Sequence, residues 1–363
     1  MKHLLILILL LVQASEVKPQ ELKKNKDYYV AAIGFWNLEN LYDTLDDRWK
    51  NDEDFTPEGT KAWTGERYRK KLENLSEAIE KMATEYTADG LAVLGLCETE
   101  NRKVVEDLVN TEALRSRQYQ VIHVEGPDAR GVDPSFVYNP RYFKPLHYCA
   151  YPVKVITDPL HKTRDILVLS GTFLGEPMAF LVNHWPSRRG GESASRPNRN
   201  YAAKLARHIA DSIAIQDPGM KILVMGDLND DPVNESVQNC FGTYANYEHP
   251  DSLRYFNPME QLYKKGIGSL AWQDSWNLFD QMLLNGNLLK GEFLSWEYLG
   301  ARVFNPRFLR SDLPQDKGYP LRTFSGARYT GGYSDHFPVY ILLAKEKAKS
   351  PRGPGNRNLA KVR

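Results

Sequence analysis

The sequence of 363 residues has few cysteines and no apolar segment long enough for a permanent membrane helix. Its three cysteines, Cys97, Cys149 and Cys240, are too few for a disulfide framework, and no Cys-x-x-Cys or His/Cys cluster predicts structural zinc. We expect three buried thiols, with one disulfide as the alternative in an oxidising compartment. The composition excludes collagen, coiled coil, an integral membrane protein and general disorder.

A short apolar run at residues 4–12 follows Lys2 and precedes a small residue, Ala14. This pattern is typical of a secretory signal peptide. No cysteine stands near the end of the run, so the sequence does not predict lipid attachment at an N-terminal cysteine. We therefore expect a secreted or periplasmic protein.

The composition changes along the chain and predicts four segments. These are a signal peptide at 1–14, a flexible lead-in at 15–27, a single domain at 28–343 and a disordered basic tail at 344–363. The whole chain has 47 basic and 46 acidic residues, whereas residues 15–343 have 39 and 45. A protein that binds nucleic acid over its whole surface is usually strongly basic, so bulk charge does not identify the substrate. We expect a monomer whose basic tail contacts anionic surfaces.

Apolar spacing predicts helices at residues 66–82, 104–114 and 200–214 and short strands through most of the remaining domain. Among the strands are segments 148–156, 278–283, 292–299 and 339–343. The stretch 233–270 is rich in aromatic residues and contains no element that the pattern places.

Five predicted strands stop at a carboxylate, an asparagine or a histidine. The polar groups lie in the segments 37–39, 98, 183–184, 227–229 and 335–336. One such residue is usually a cap or a turn. Five of them predict strand ends that meet at one rim of a sheet and form an oxygen-rich site, which favours Mg²⁺ or Mn²⁺ over zinc or copper.

The combination of Gly226-Asp227-Leu228-Asn229 with a late Ser334-Asp335-His336 resembles the endonuclease/exonuclease/phosphatase superfamily. The resemblance runs in order over residues 29–343. It implies an α/β (α+β) fold, a four-layered α/β sandwich in which two packed mixed sheets are flanked by helices. It also implies a metal-dependent phosphoesterase.

The resemblance assigns the metal side of the site to four residues. Asn37 and Glu98 match the first two metal-site positions, with Glu98 as the carboxylate directly on the cation. Asp335 matches a second acidic position. Glu39 stands where an aspartate or asparagine is commoner and supports the metal through water.

The resemblance also assigns the catalytic side. Asp227 orients or deprotonates the attacking water, and Asn229 helps to hold the phosphate. His336 contacts a phosphoryl oxygen or moves a proton, with Asp280 fixing its tautomer, and His184 lies near the leaving group. Two histidines held by carboxylates can supply base and acid near neutral pH.

An arginine-rich segment between His184 and Arg207 is the other informative feature. We expect a flexible loop that places Arg188 and Arg189 on the substrate phosphate, because arginine binds phosphate bidentately. Arg164 is a further candidate and Arg130 a weaker one. The remaining histidines have no motif context and are expected at the surface or in the core: His123, His147, His161, His208 and His249.

The sequence therefore predicts a secreted or periplasmic hydrolase of phosphodiesters that uses Mg²⁺, with Mn²⁺ as a substitute. Nucleic acid is the first choice of substrate, and the protein would then be an endonuclease. The alternative enzyme is a phosphodiesterase or phosphatase that acts on a lipid head group, an inositol phosphate or a nucleotide. A non-catalytic binding protein on a retired enzyme scaffold is the alternative of another class.

Overall fold

The computed structural model describes residues 22–23, 26–246 and 250–348. The predicted signal peptide, most of the predicted lead-in, His249 and residues 349–363 of the predicted basic tail lie outside these residues. In chain order the strands are β1 (Tyr28–Leu41), β2 (Leu91–Thr99), β3 (Gln120–His123), β4 (Asp133–Tyr138), β5 (Phe143–Tyr151), β6 (Ile166–Phe173), β7 (Glu176–His184), β8 (Lys221–Asp227), β9 (Thr243–Tyr244), β10 (Tyr255–Phe256), β11 (Leu270–Trp272), β12 (Ser275–Asn277), β13 (Asp280–Asn285), β14 (Glu297–Val303), β15 (Phe324–Ser325), β16 (Arg328–Tyr329) and β17 (Val339–Glu346). The α-helices are α1 (Gly65–Lys81), α2 (Arg102–Val109), α3 (Glu192–Gln216) and α4 (Met259–Lys264).

Two large mixed sheets form the centre of the domain. One has six strands in the order β14-β17-β1-β2-β4-β3, and the other has seven in the order β5-β6-β7-β8-β13-β10-β9. The parallel pairs β1–β2 and β7–β8 lie inside the two sheets. Both strands of each pair therefore end at the same edge, which is where the polar residues follow the apolar runs.

Three apolar layers hold the sheets and helices together. Phe35 and Val93 of the first sheet meet Phe180 and Met225 of the second in the core between them. On the outer face of the first sheet, α1 and α2 pack through side chains such as Leu75. On the outer face of the second, α3 packs through a row of alanines and Ile209. This arrangement is the predicted four-layered α/β sandwich with two packed mixed sheets.

Side-chain caps explain where the first two helices begin. Thr64 accepts a hydrogen bond from the Arg67 N–H before α1, and Asn101 accepts one from Val104 N–H over 3.1 Å before α2. The prediction placed α2 at 104–114, but the helix ends at Val109. Residues 111–114 form a bend and a turn, and Arg115–Arg117 form a short 3-10 helix.

The arginine-rich segment is mostly helix, which corrects the prediction of a flexible loop. Helix α3 begins at Glu192, eight residues before the predicted start, although Pro197 lies within it. The Arg199 guanidinium donates to the Glu192 carbonyl over 3.0 Å and to Ser195 Oγ over 2.8 Å. Arg199 therefore satisfies a carbonyl and a hydroxyl in the first turns of α3. Pro197 has no backbone N–H and removes one hydrogen bond from the same part of the helix.

Other predicted boundaries shift along the chain. The strands predicted at 148–156 and 292–299 are β5, which begins at Phe143, and β14, which begins at Glu297. The unplaced stretch 233–270 contains a π-helical turn (Ser236–Phe241), the short strands β9 and β10, and α4. Strand β17 continues to Glu346, three residues beyond the predicted domain end, and Lys345 pairs with Glu176 at 2.6 Å.

All three cysteines are free thiols. Cys97 is buried as expected, whereas Cys149 and Cys240 are partly exposed. Within the described part of the chain, none of the helices combines the length and the apolar character that a membrane span requires.

Candidate active site

A cavity of about 280 Å³ lies where β1, β2, β7 and β8 bring their polar residues together. Three of the predicted site residues, Glu39, Asp280 and Arg188, do not line it. The cavity is lined by Asn37, Glu98, Asp128, Ala129, Arg130, His161, Arg164, His184, Ser187, Arg189, Asp227, Asn229, Asp335 and His336.

Strand register places three of the catalytic candidates side by side. Asp227 at the end of β8 pairs with His184 of β7 on one side and with Asp280 of β13 on the other. In neighbouring strands, paired residues project to the same face of the sheet. A one-residue slip of either pair would move one of these side chains to the other face.

Asn37 of β1 connects the first sheet to Asp227. Its Nδ2 donates to Asp227 Oδ2 over 3.0 Å, and its Oδ1 accepts from the Glu39 backbone N–H over 2.9 Å. The second oxygen of Asp227 accepts from the Asn229 N–H over 3.0 Å. Both oxygens of the Asp227 carboxylate are therefore held in place.

Burial raises the pKa of Asp227 to about 6. The nearby His336 opposes this shift, Asp280 adds to it, and the hydrogen bonds from Asn229 and Asn37 lower the value. A carboxylate with this pKa is charged at neutral pH yet more basic than an exposed one. This property suits a group that accepts a proton from water.

The predicted pair of His336 and Asp280 is present. His336 Nδ1 lies 2.7 Å from Oδ2 of the fully buried Asp280, so Nδ1 carries the proton and Nε2 faces the cavity. The Ser269 hydroxyl donates to the same carboxylate oxygen. Burial alone would lower the pKa of His336, but Asp280, Asp227 and Asp335 together raise it well above 6.5.

His184 has the opposite electrostatic environment. Burial and the charges of Arg164, Arg130 and His336 lower its pKa well below 6.5, so its imidazole is neutral at pH 7. Its Nε2 lies 3.5 Å from Asp227 Oδ2, and its buried Nδ1 has no hydrogen-bond partner among the described residues. The site therefore contains one histidine held through Nδ1 by a carboxylate, where the sequence predicted two.

Glu98 presents one carboxylate oxygen to the cavity. Its Oε2 accepts from the Asn40 backbone N–H over 2.9 Å, while Oε1 lies 3.5 Å from Arg130 Nη2 and 3.9 Å from His184 Nε2. Glu98 and Asn40 both have positive φ angles, of 59° and 55°. Residues other than glycine rarely adopt a positive φ angle, and those that do are often found at functional sites.

Glu39 lies behind the cavity in a buried ion-pair network. Its Oε2 accepts from the Thr323 N–H over 2.6 Å and lies 4.0 Å from Lys71 Nζ, and its Oε1 lies 3.6 Å from Arg322 Nε. Arg322 also donates to Asp335 Oδ2 over 2.8 Å. Burial and the neighbouring Asp335 raise the pKa of Glu39 to about 7. Glu39 thus contacts the cavity through Arg322 and Asp335.

The predicted arginines differ in where they point. Arg189 and Arg164 line the cavity. Arg188 instead donates to the Asn229 carbonyl over 2.9 Å, pairs with Asp230 at 3.1 Å and stacks over Phe279. Arg188 therefore braces the loop after β8. The weaker candidate Arg130 lines the cavity beside Glu98.

Sequence reasoning missed several residues of the site. Asp128 is buried, lines the cavity and pairs with both Arg130 and Arg164. His161, predicted at the surface or in the core, also lines the cavity. Lys71 and Arg322 had no motif to mark them. The tetrapeptide 128–131 was the one available signal, because an acidic residue before an arginine in a turn can hold that arginine.

The oxygen-bearing side chains of the cavity fit a hard divalent cation. Asn37, Glu98, Asp227 and Asp335 offer amide and carboxylate oxygens and no thiolate. Mg²⁺ is usually bound by one or two carboxylates together with water and substrate phosphate, so a fully enclosing set of protein ligands is not required. Glu98 Oε1, with its long contacts to Arg130 and His184, is the best-placed direct ligand.

A separate group of potential ligand atoms lies between β3 and β4. His123, Glu125 and Asp133 each offer one such atom, all within 4.8 Å of one another. His123 Nδ1 is 2.8 Å from Ser135 Oγ, and its Nε2 is 3.1 Å from Glu125 Oε1. Asp133 Oδ2 accepts from the Gly126 N–H over 2.9 Å. These contacts hold the loop that carries Asp128 and Arg130.

Comparison with known proteins identifies one family. A family model described as the endonuclease/exonuclease/phosphatase family matches residues 32–345. A search of curated protein sequences finds no match.

Several solved structures have a similar fold at low sequence identity. TDP2 of D. rerio, complexed with single strand DNA product, has a TM-score of 0.52 at 18% identity, covering 86% of this chain and 98% of that chain. The catalytic domain of human Nocturnin with bound sulfate has a TM-score of 0.51 at 16% identity, covering 89% and 98%. A mannosyl-6-phosphatase of Bacteroides thetaiotaomicron has a TM-score of 0.50 at 16% identity, covering 86% and 99%.

Proposed function

Since this chain belongs to the endonuclease/exonuclease/phosphatase family, whose members are metal-dependent phosphoesterases, we propose that it hydrolyses phosphodiesters with Mg²⁺ and acts on nucleic acid as an endonuclease. One observation carries the proposal. Asp227 lies between the neutral His184 and the His336–Asp280 pair, with Glu98 and Asn37 on the opposite sheet. The cavity thus combines a base, a cationic donor and oxygen ligands around one small volume.

Glu98 and Asn37 would hold the cation, with Asp335 as a further acidic residue, and Mn²⁺ would replace Mg²⁺ in such a site. When bound, it stabilises negative charge on the phosphoryl oxygens. The protein supplies the remaining positive charge from Arg130, Arg164 and the imidazolium of His336.

Asp227 takes a proton from the attacking water, whose oxygen then bonds to phosphorus. Asn229 and Asn37 hold the Asp227 carboxylate at fixed orientation for this step. His336 donates a hydrogen bond from Nε2 to a non-bridging phosphoryl oxygen as charge develops there. The ester P–O bond breaks with its electron pair on the leaving oxygen, which departs on the side of His184 and takes a proton from solvent water, while Asp227 returns its proton to solvent.

A second candidate substrate class is a small phosphate ester, such as an inositol phosphate, a nucleotide or a lipid head group. A specific observation favours it, because several arginines of the segment between His184 and Arg207 are engaged within the protein. Arg199 is fully buried and pairs with Asp230 at 2.8 Å, and Arg207 pairs with Asp211 at 2.8 Å. Fewer arginines of this segment therefore line the cavity than the sequence predicted.

The proposal includes secretion or a periplasmic location, which the apolar run at residues 4–12 supports. We also propose that the enzyme is a monomer and that its basic tail contacts anionic surfaces. A truncation that tests the tail begins after residue 348, because β17 extends to Glu346.

The experiment is hydrolysis by the purified protein with Mg²⁺, Mn²⁺ or EDTA, and with the His336→Ala variant as the blank. The substrates are supercoiled plasmid, single-stranded DNA, RNA, sphingomyelin, inositol polyphosphates and bis-p-nitrophenyl phosphate. Metal-dependent nicking of plasmid that the variant lacks supports the endonuclease. Turnover of only lipid or small phosphates assigns the second substrate class, and no turnover of any substrate contradicts the proposal.

A further inference from the structure

A second cavity of about 370 Å³ adjoins the catalytic one. The two cavities share four lining residues, His161, Arg164, Ser187 and Arg189. The two cavities therefore lie side by side, with these four residues between or around them.

Two consecutive residues that line the second cavity have buried hydrogen-bond donors without a partner among the described residues. Thr163 is 1% exposed, and its hydroxyl has no hydrogen-bond partner in the described part of the chain. Arg164 is 6% exposed, and its Nε–H also has none there, although Nη2 donates to the Trp185 carbonyl and Nη1 pairs with Asp128. Buried donors without partners are costly and rare, so each one indicates a missing acceptor.

Arg189 adds an exposed cation to these buried donors. It is exposed, lines both cavities and forms no ion pair with any described residue. Asp158 is the one acidic residue in the lining of the second cavity, against Arg164 and Arg189. Because Asp128 pairs with Arg164, Arg189 is the cation of this lining that remains for an anion.

We propose that the second cavity binds a second phosphate of the substrate while the scissile phosphate occupies the catalytic cavity. This inference rests on the proposed function and specifies its substrate as one that carries two phosphates close together. A nucleic acid strand supplies the second phosphate as its neighbouring linkage or terminal group. A small bisphosphate supplies the same chemistry as a separate substituent.

The test compares substrate pairs that differ only by the second phosphate. One pair is a thymidine dinucleotide with and without a 5′-phosphate, and the other is inositol bisphosphate and inositol monophosphate. The readout is the ratio of kcat/KM within each pair, for the unmodified protein and its variants. We expect the second phosphate to raise kcat/KM at least about 10-fold in one pair, because charge-assisted hydrogen bonds are the strong ones.

Matched variants test whether the effect of the second phosphate on kcat/KM arises in the second cavity. Thr163→Val removes the hydroxyl at nearly constant shape, and Thr163→Ser keeps it. Arg189→Gln removes the exposed charge, and Arg115→Gln is its control because Arg115 is exposed and lines neither cavity. The ratio should fall about 10-fold in Thr163→Val and Arg189→Gln and stay unchanged in Thr163→Ser and Arg115→Gln.

Titration calorimetry on the His336→Ala variant separates this inference from the proposed function. The ligand with two phosphates should bind at least about 10-fold more tightly than its partner with one, and Arg189→Gln should remove the difference. Equal binding and equal kcat/KM within both pairs would overturn the second-phosphate site. Loss of bis-p-nitrophenyl phosphate hydrolysis at every metal concentration would contradict the proposed function instead, while the binding ratio still decides the second site.

Discussion

Asn37 Nδ2 donates to Asp227 Oδ2 over 3.0 Å and thereby joins the six-stranded sheet to the seven-stranded sheet at the base of the catalytic cavity. Asn37 and Glu98, the proposed metal ligands, belong to one sheet. Asp227, the proposed base, belongs to the other. Neither sheet alone contains the site. Its geometry therefore depends on how the two sheets pack, since the apolar core between them sets their separation.

Removing the charge from Asp280 should slow catalysis. In Asp280→Asn the imidazolium of His336 loses its nearest counter-charge, and the amide no longer requires the proton to stay on Nδ1. We expect kcat for bis-p-nitrophenyl phosphate to fall about 10²- to 10⁴-fold with a smaller change in KM. Steady-state kinetics at saturating Mg²⁺ measure this effect. Asp312→Asn, at an exposed position, is the control, and an unaltered kcat in Asp280→Asn would show that the pair has no catalytic role.

Replacing Glu98 by glutamine should weaken cation binding. The amide keeps the shape and the hydrogen bond from Asn40 but loses the negative charge at Oε1. We expect the Mg²⁺ concentration for half-maximal activity to rise at least about 10-fold. Calorimetric titration with Mg²⁺ provides a second readout. Glu112→Gln, at an exposed glutamate, should leave both values unchanged. The same affinity in Glu98→Gln and the unmodified protein would place the cation elsewhere.

Breaking the buried network behind the cavity should destabilise the fold. Lys71 is fully buried and donates to the Glu39 carbonyl, the Thr323 hydroxyl and the Tyr333 carbonyl. In Lys71→Met these acceptors lose their donor, and Glu39 loses one of its two cations. We expect the free energy of unfolding to fall by about 3–5 kcal/mol.

Urea unfolding at pH 7 measures that loss. The neighbouring Lys70 is exposed, so Lys70→Met should change the free energy of unfolding by less than about 0.5 kcal/mol. A loss below about 1 kcal/mol in Lys71→Met would mean that the network contributes little to folding.

Asp133, the first residue of β4, should give the protein a specific pH dependence of stability. Burial raises the pKa of Asp133 from 3.8 to about 6. Between these values the folded protein keeps a proton on this carboxyl that the unfolded chain releases. Stability should therefore decrease as the pH rises from about 4 to about 6, by an amount on the order of 2 kcal/mol.

The variant Asp133→Asn should lack this part of the pH dependence. Thermal unfolding of both proteins between pH 4 and pH 7 measures the difference in slope. Asp312→Asn should retain the slope of the unmodified protein, because Asp312 is exposed. Parallel curves for Asp133→Asn and the unmodified protein would rule out Asp133 as the source.

The sequence predicted the fold where apolar runs were long and regular. Helix α1 was predicted at residues 66–82 and spans Gly65–Lys81, because its apolar spacing and the Thr64 cap point to the same element. The helix predicted at 200–214 begins at Glu192 although Pro197 lies within it, and the side chain of Arg199 adds hydrogen bonds to Glu192 and Ser195 in its first turns. The stretch 233–270 has no local pattern, because its short strands pair with β13 and with each other.

For the site, the sequence by itself determined the chemical groups: carboxylates, amides and imidazoles that follow buried strands, in an order that marks the family. Tertiary structure decided how each group behaves. Burial and two nearby arginines lower the pKa of His184, whereas three aspartates outweigh burial and raise the pKa of His336. Tertiary structure also decided which arginines remain for a substrate, because Arg188 and Arg199 pair with the buried Asp230 while Arg189 remains unpaired among the described residues. These two pairings join residues 42 and 31 positions apart, so no local pattern contains them.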